Sequence, residues 1–194
     1  MLGPNGAGNT TLLRLLTGDL RARSGQVSIT KDGQRSVSGS SLRRQVAWMP
    51  QSVSAVAGLS VLEQVAYSGW LGGLPTKVAM RRAGGAVRLV LLDDGRDAAA
   101  TTPSCGQLRR VGLAEALVMQ TDYLLLDEPM AGLDPAQPAN FREVLKGLPD
   151  CGVVVSTHQT DDVADVFSHM TVLAEGISAL TGPSGWSFAL SSCS

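Results

Sequence analysis

The sequence predicts an α/β fold: a mainly parallel sheet flanked by helices, with an inserted helical subdomain. Three observations carry this. The chain opens with Leu2-Gly3-Pro4-Asn5-Gly6-Ala7-Gly8-Asn9-Thr10-Thr11. This run matches the phosphate-loop pattern G-x-x-x-x-G-K-[ST] at Gly3, Gly8 and Thr10, with Asn9 where the pattern has lysine. Short apolar runs then alternate with segments of helical periodicity, the pattern of a parallel sheet covered on both faces. The middle third, 52–117, is mostly helical in pattern.

The elements follow in order. Thr10 to Leu16 reads as a helix ending at Gly18. Gln26 to Ile29 is a short alternating strand before the turn Lys31-Asp32-Gly33. Gln45 to Met49 is a strand stopped by Pro50. Val61, Leu62, Val65, Ala66 and Trp70 recur at helical spacing across Val61 to Leu71. Thr76 to Leu92 is helical around Gly84-Gly85. Ser104 is an N-cap for a helix reaching about Met119. Tyr123 to Leu126 is an apolar strand running into Asp127-Glu128. A helix over Pro135 to Leu145 accepts proline in its first turn. The strand Val153 to Ser156, a helix near Thr160 to Phe167 and the strand Met170 to Leu173 complete the pattern. The nucleotide-binding core is thus expected over 1–51 and 118–182, the helical subdomain over 52–117 and a divergent tail over 183–194.

Composition excludes several function classes. The 194 residues suffice for one domain, and 44% are hydrophobic. A net charge of −1 gives no electrostatic case for nucleic acid or an anionic membrane surface. Cys105, Cys151 and Cys193 are odd in number and widely spaced, so they build neither a disulfide framework nor a metal site. No apolar run approaches the ~20 residues of a membrane span. The arginine pairs 43–44, 81–82 and 109–110 read as exposed helix faces.

The candidate chemistry lies in the loops. Gly3, Gly6 and Gly8 permit backbone N–H groups to converge on phosphate oxygens, and the helix behind them presents its N-terminal partial charge. Asn9 lacks an ammonium. The lost charged hydrogen bond is worth roughly 1.5–3 kcal/mol, and a donor aimed at transition-state charge about 10²–10³ in rate. Weakened binding and weaker turnover are expected. Asp127-Glu128 ends an apolar strand, at the sheet edge where ligands bind. Asp127 suits a magnesium-bound water and Glu128 a general base. His158 follows a strand at the same edge, where it suits a hydrogen bond to a γ-phosphate, and Gln51, after Pro50, suits a catalytic contact with the attacking water or a ligand position on Mg²⁺. Ser104-Cys105-Gly106-Gln107 opens a helix, and Gly132-Leu133-Asp134-Pro135 reads as a turn.

In order, the loop, MPQ, PSCGQLRR, YLLLDEP, AGLDP and STH closely resemble the nucleotide-binding domain of ABC transporters, a P-loop NTPase, from Leu2 to about Gly182. The resemblance implies ATP and Mg²⁺ as ligands. It implies that Gly3, Pro4, Asn5, Gly6, Ala7, Gly8, Asn9, Thr10 and Thr11 cradle the phosphates. Thr10, Gln51 and Asp127 meet the metal, Glu128 is the catalytic base, and His158 is the γ-phosphate switch. Ser104, Gly106 and Gln107 contact the ATP of a second such domain, and Asp134 links the two sites. A separate transmembrane permease, docked on the helical subdomain, is the implied partner. The implied place is the cytoplasmic face of the membrane, and the implied direction is export.

Departures from the family pattern shape a second expectation. Beyond Asn9, Cys105 stands where the signature has glycine. Only Met1 and Leu2 precede Gly3, where a strand should feed the loop, and the adenine-stacking aromatic is absent. These features imply a coding start upstream of Met1 or a degenerate remnant. The alternative function is an impaired regulatory partner. A cassette protein acting on nucleic acid or ribosomes fits the neutral charge poorly.

Overall fold

The computed structural model describes residues 1–25, 27–31, 34–132, 137–148, 151–158 and 167–183. At its centre lies a three-stranded parallel sheet of β3 (Val46–Met49), β4 (Tyr123–Asp127) and β5 (Gly152–Ser156), in that order. β3 and β4 register Val46 on Tyr123 and Met49 on Leu126. β4 and β5 register Tyr123 on Gly152 and Asp127 on Ser156. All three strands therefore end at one edge, which sets Gln51, Asp127-Glu128 and Ser156–His158 side by side. Leu124, Leu125 and Leu126 are buried, as a strand covered on both faces requires.

Two antiparallel hairpins accompany this centre. One pairs β1 (Ser28–Lys31) with β2 (Gln34–Ser38); the other pairs β6 (His169–Ala174) with β7 (Ile177–Pro183). Sequence periodicity did not reveal β2 or β7, because hairpin partners are selected by pairing rather than by an apolar stripe. Leu2 makes parallel bridges to both Thr157 and Val172 and so joins the end of β5 to β6. Beside Met1 these strands leave a cavity of about 200 Å³ lined by Val153, Val154, Val155, Phe167, His169 and Thr171.

Three helices pack together above β3 and β4: α2 (Val61–Leu71), α3 (Thr76–Leu89) and α4 (Cys105–Leu117). α2 starts at a capping box in which Ser60 and Glu63 satisfy each other's backbone N–H. The backbone bond from Ser60 also holds the Glu63 carboxyl below its ordinary range. α3 buries Ala79, Ala83, Ala86 and Val87, a stripe of mostly small residues at helical spacing. It ends at Leu89 rather than Leu92. Leu91 turns into the left-handed region (φ 58°), and Arg110 from α4 donates to the carbonyls of Val90 and Leu91. The first helix, α1, begins at Asn9 and runs to Leu16. The helix after β4, α5, is described over Gln137–Lys146. Of the helix expected at Thr160 to Phe167, residues 160–166 lie outside the described residues and Phe167 is not helical; of the tail expected over 183–194, Pro183 ends β7 and the rest lies outside the described residues.

A buried polar knot stitches the segment after Gln51 to α2 and α4. Gln64 is 1% exposed. Its Nε2 donates to the Ser54 carbonyl (3.1 Å) and to Glu115 Oε1 (2.7 Å), and its Oε1 accepts from Val56 N–H (2.8 Å). Burial pushes the Glu115 carboxyl above its ordinary range, opposed by hydrogen bonds from Gln64 and Ser68. Nearby, Gly112 of α4 faces Val53: a Cβ at that position would lie 2.3 Å from Val53 Cγ2.

Gly112→Ala should lower stability by about 1–3 kcal/mol, since the stiff Val53 side chain must shift. A lower urea midpoint at unchanged m-value will show it. A carboxyl raised in the folded state stabilises fully below its unfolded value, and that contribution is lost as pH rises through the folded one. Glu115→Gln keeps the acceptor for Gln64 and removes the charge. Its melting temperature should exceed wild type near pH 7, on the order of a few °C, and the gap should close toward pH 4.

Candidate functional site

The glycine loop is built on the sheet by backbone bonds. Gly3 N–H donates to the Thr157 carbonyl (3.3 Å), and Leu2 exchanges bonds with Thr171 and Leu173 (2.8 Å each). Gly3 is required here by close approach: a Cβ would sit 2.7 Å from the Leu173 carbonyl oxygen. Gly8 adopts φ 100° as it leads into α1, a conformation that glycine takes freely. Gly176 N–H donates to the Ala7 carbonyl (2.9 Å), tying the loop to the β6–β7 turn.

A cavity of about 400 Å³ lies in front of this loop, lined by Pro4, Asn5, Gly6, Gly8, Asn9, Thr10, Thr11, Gln51, Asp127 and Glu128. The structure thus brings together residues from three separate segments. Gly3 and Ala7 form no part of the wall, because both are buried beneath the loop. Ser104, Gly106 and Gln107 are also absent from it. Ser104 caps α4 instead: its Oγ accepts from Gln107 N–H, and Gln107 Oε1 accepts from Ser104 N–H. Cys105 follows as the exposed first residue of α4, and Gly106 is buried. Asp134 lies outside the described residues. A larger cavity of about 540 Å³, between α3 and the start of β4, holds none of the predicted site residues.

The acidic pair is held from below by Ser156. Its hydroxyl donates to Asp127 Oδ1 (2.6 Å) and accepts from Glu128 N–H (3.0 Å). Asp127 is 1% exposed, and its Oδ2 is buried without a protein partner. Glu128 is in the left-handed region (φ 47°), an uncommon place for a side chain other than asparagine or aspartate. Its carboxylate meets His158, whose Nδ1 lies 3.0 Å from both Oε1 and Oε2. An ionised carboxylate only accepts, so Nδ1 carries the hydrogen and Nε2 is left for another partner. Asn9, in the lysine position, folds back on its own loop: Nδ2 donates to the Gly3 carbonyl at 3.4 Å, a weak bond.

The donor set suits a hard divalent cation. The orphaned Asp127 oxygen, the Thr10 hydroxyl and the Gln51 amide are oxygen ligands of the kind Mg²⁺ takes alongside waters and phosphates. Among the described residues there is no cluster of three or more His, Cys, Asp or Glu that could cage a metal. Magnesium in particular is held with few carboxylates when a substrate supplies phosphates.

The family model for ABC transporters matches residues 1–131. The chain belongs to the ABC transporter ATP-binding family. An energy-coupling factor transporter ATP-binding protein, EcfA2 of Streptococcus thermophilus, is 36% identical over 189 residues, covering 93% of this chain and 68% of that protein. An Fe(3+) ions import ATP-binding protein, FbpC of Vibrio cholerae, is 34% identical over 168 residues. The match covers 87% of this chain but spans only 47% of FbpC. Among solved structures, CbiO1 of Clostridium perfringens, part of the ABC transporter complex CbiONQ, superposes with a TM-score of 0.76 at 28% identity. That match covers 94% of this chain and 75% of CbiO1. The positions sequence reasoning missed are Ser156, whose signal was its place opposite Asp127 in a parallel pair, and Arg109. The latter was read as part of an exposed pair, yet it donates to the carbonyls of Gln51 and Ala131.

Ser156→Ala leaves Asp127 Oδ1 buried without its donor. The expected loss is about 1–3 kcal/mol of folding stability, read by chemical denaturation at neutral pH.

Proposed function

We propose that this chain is the ATP-binding subunit of an ABC transporter, binding and hydrolysing MgATP to drive a separate membrane permease. The observation that carries it is the single cavity shared by the glycine loop, Gln51, Asp127 and Glu128, with His158 hydrogen-bonded to Glu128. Loop N–H groups and the α1 N-terminus receive phosphate charge. When bound, magnesium would neutralise phosphate charge between Thr10, Gln51 and Asp127. Glu128 takes a proton from the attacking water at its carboxylate, and His158 Nδ1–H holds that carboxylate in place. To donate to a phosphate as well, His158 Nε2 must also carry a hydrogen.

The remaining assignments extend this reading. Ser104, Gly106 and Gln107 lie outside the cavity, which leaves them for the nucleotide of a second such domain, homo- or heterodimeric, with Asp134 linking the sites. The core of 1–51 and 118–182 binds nucleotide, and 52–117 receives the permease. Supporting that docking, Tyr67 and Trp70 stack on α2 with ring centroids 5.8 Å apart, and both are exposed, as are Leu71 and Met80. No helix among the described residues is long and apolar enough to cross a membrane. On the reading proposed here, a separate permease supplies the span and the chain works on the cytoplasmic face. The relatives named above speak for import where they name a direction, as in FbpC, and none of them supports export.

A second reading, an impaired regulatory partner, is favoured by one observation, the Asn9 amide turned back on Gly3. Calorimetry with MgATP tests both. Wild type should bind in a magnesium-dependent way, and Glu128→Gln should bind comparably while hydrolysis falls to background. Asn9→Lys should tighten binding about 10–100-fold, the equivalent of one charged hydrogen bond. Absence of magnesium-dependent binding by wild type overturns the proposal, whereas binding with equal, background rates in wild type and Glu128→Gln selects the regulatory reading.

A further inference from the structure

Arg109 lies on α4, between the exposed Ser104 cap and the loops that wall the cavity. Its Nη1 donates to the Gln51 carbonyl, and its Nη2 to the Ala131 carbonyl at 3.3 Å. Gln51 is the first residue after β3 and Pro50, and its residue lines the cavity. Ala131 closes a turn on Glu128, donating its N–H to the Glu128 carbonyl at 3.1 Å. One planar guanidinium therefore spans the two loops that carry Gln51 and Glu128. Without it, two carbonyl oxygens from separate loops would lose a shared donor. A lysine ammonium lacks the planar fork that reaches both at once.

Arg109 is also the first point of a track. Residues 109, 112 and 115 are spaced three apart and share one face of α4. Each grips a successive part of the segment after β3. Arg109 holds the Gln51 carbonyl, Gly112 receives Val53, and Glu115 holds Gln64, which in turn holds Ser54 and Val56. Segment 51–56 is thereby fastened to α4 along its length. The second arm of Arg109 ties this stripe to the Glu128 turn.

We propose that Arg109 is a positioning residue: it sets Gln51 against the Asp127–Glu128 turn and carries displacements of α4 into the hydrolytic site. This rests on the ATP-site reading above. It assigns Arg109 no contact with nucleotide and no part in proton transfer.

The test compares wild type, Arg109→Ala and Arg109→Lys in the full chain. Three quantities are read: MgATP affinity by calorimetry, kcat and KM for hydrolysis, and hydrogen exchange in peptides covering 50–57 and 127–132. Arg109→Ala should lower kcat on the order of 10–100-fold, the scale of a misplaced catalytic geometry. MgATP affinity should change less than about threefold, as loss confined to the transition state requires. The melting temperature should stay within about 2 °C, as for a partly exposed residue outside the core. Exchange should quicken in both peptides together, and Arg109→Lys should recover one peptide's protection and only part of the rate. Unchanged exchange in either peptide with Arg109→Ala overturns the inference, whether or not turnover is measurable. So does a fall in kcat that merely follows a fall in melting temperature, or full recovery by lysine. Failure of wild type to bind MgATP sinks the ATP-site reading instead, while the exchange result still decides whether Arg109 couples the two loops.

Discussion

One hydroxyl holds the acidic end of this sheet together. Ser156 Oγ has a single hydrogen, which it gives to Asp127, and a lone pair, which takes Glu128 N–H. This fixes the Asp127 carboxylate and the Glu128 backbone from a single neighbouring strand. It satisfies one oxygen of a buried carboxylate and leaves the other, Oδ2, without a protein partner. The arrangement depends on register: only with Asp127 opposite Ser156 does the hydroxyl lie beneath the turn. A shift of one residue would send every side chain of β5 to the other face.

The rest of the site is arranged around that fixed point by backbone contacts and tight packing. The glycine loop reaches it because Leu2 and Gly3 bond to Thr157, Thr171 and Leu173, with Gly3 pressed against a carbonyl oxygen. Gln51 reaches it because α4 grips the following segment. Gly112 is small enough to admit Val53, and the buried Gln64 has its donors and acceptor occupied. Burial of so polar a side chain costs stability unless it is paired. Once paired, it specifies one path for the chain. A glycine contact and an amide knot thus do for the Gln51 segment what Ser156 does for the acids.

Arginines show why exposed-looking charge pairs deserve a spatial reading. Arg110 caps the end of α3, and burial lowers its guanidinium below the ordinary value. Arg82 donates to the Met119 carbonyl and Arg43 to that of Gly18. Each satisfies a carbonyl left without a backbone partner at a helix end or turn. From sequence alone these residues were indistinguishable from solvated helix faces, because their partners lie far away along the chain.

By itself the sequence determined what depends on neighbours along the chain. The span of α2, the cap at Ser104, the apolar β4 and the glycine loop follow from side-chain size, capping geometry and periodicity over a few residues. The ordered motifs were enough to point to the family. Tertiary structure alone decided which of those pieces meet. It placed Gln51 and Glu128 on one cavity, turned Glu128 toward His158, and left Ser104 elsewhere. It also supplied β2 and β7, the Ser156 bridge and the reach of Arg109 to carbonyls 58 and 22 residues away. The physical reason is range: propensity and capping act within a turn or two, whereas register, burial and the pairing of distant polar groups exist only after the chain has closed on itself.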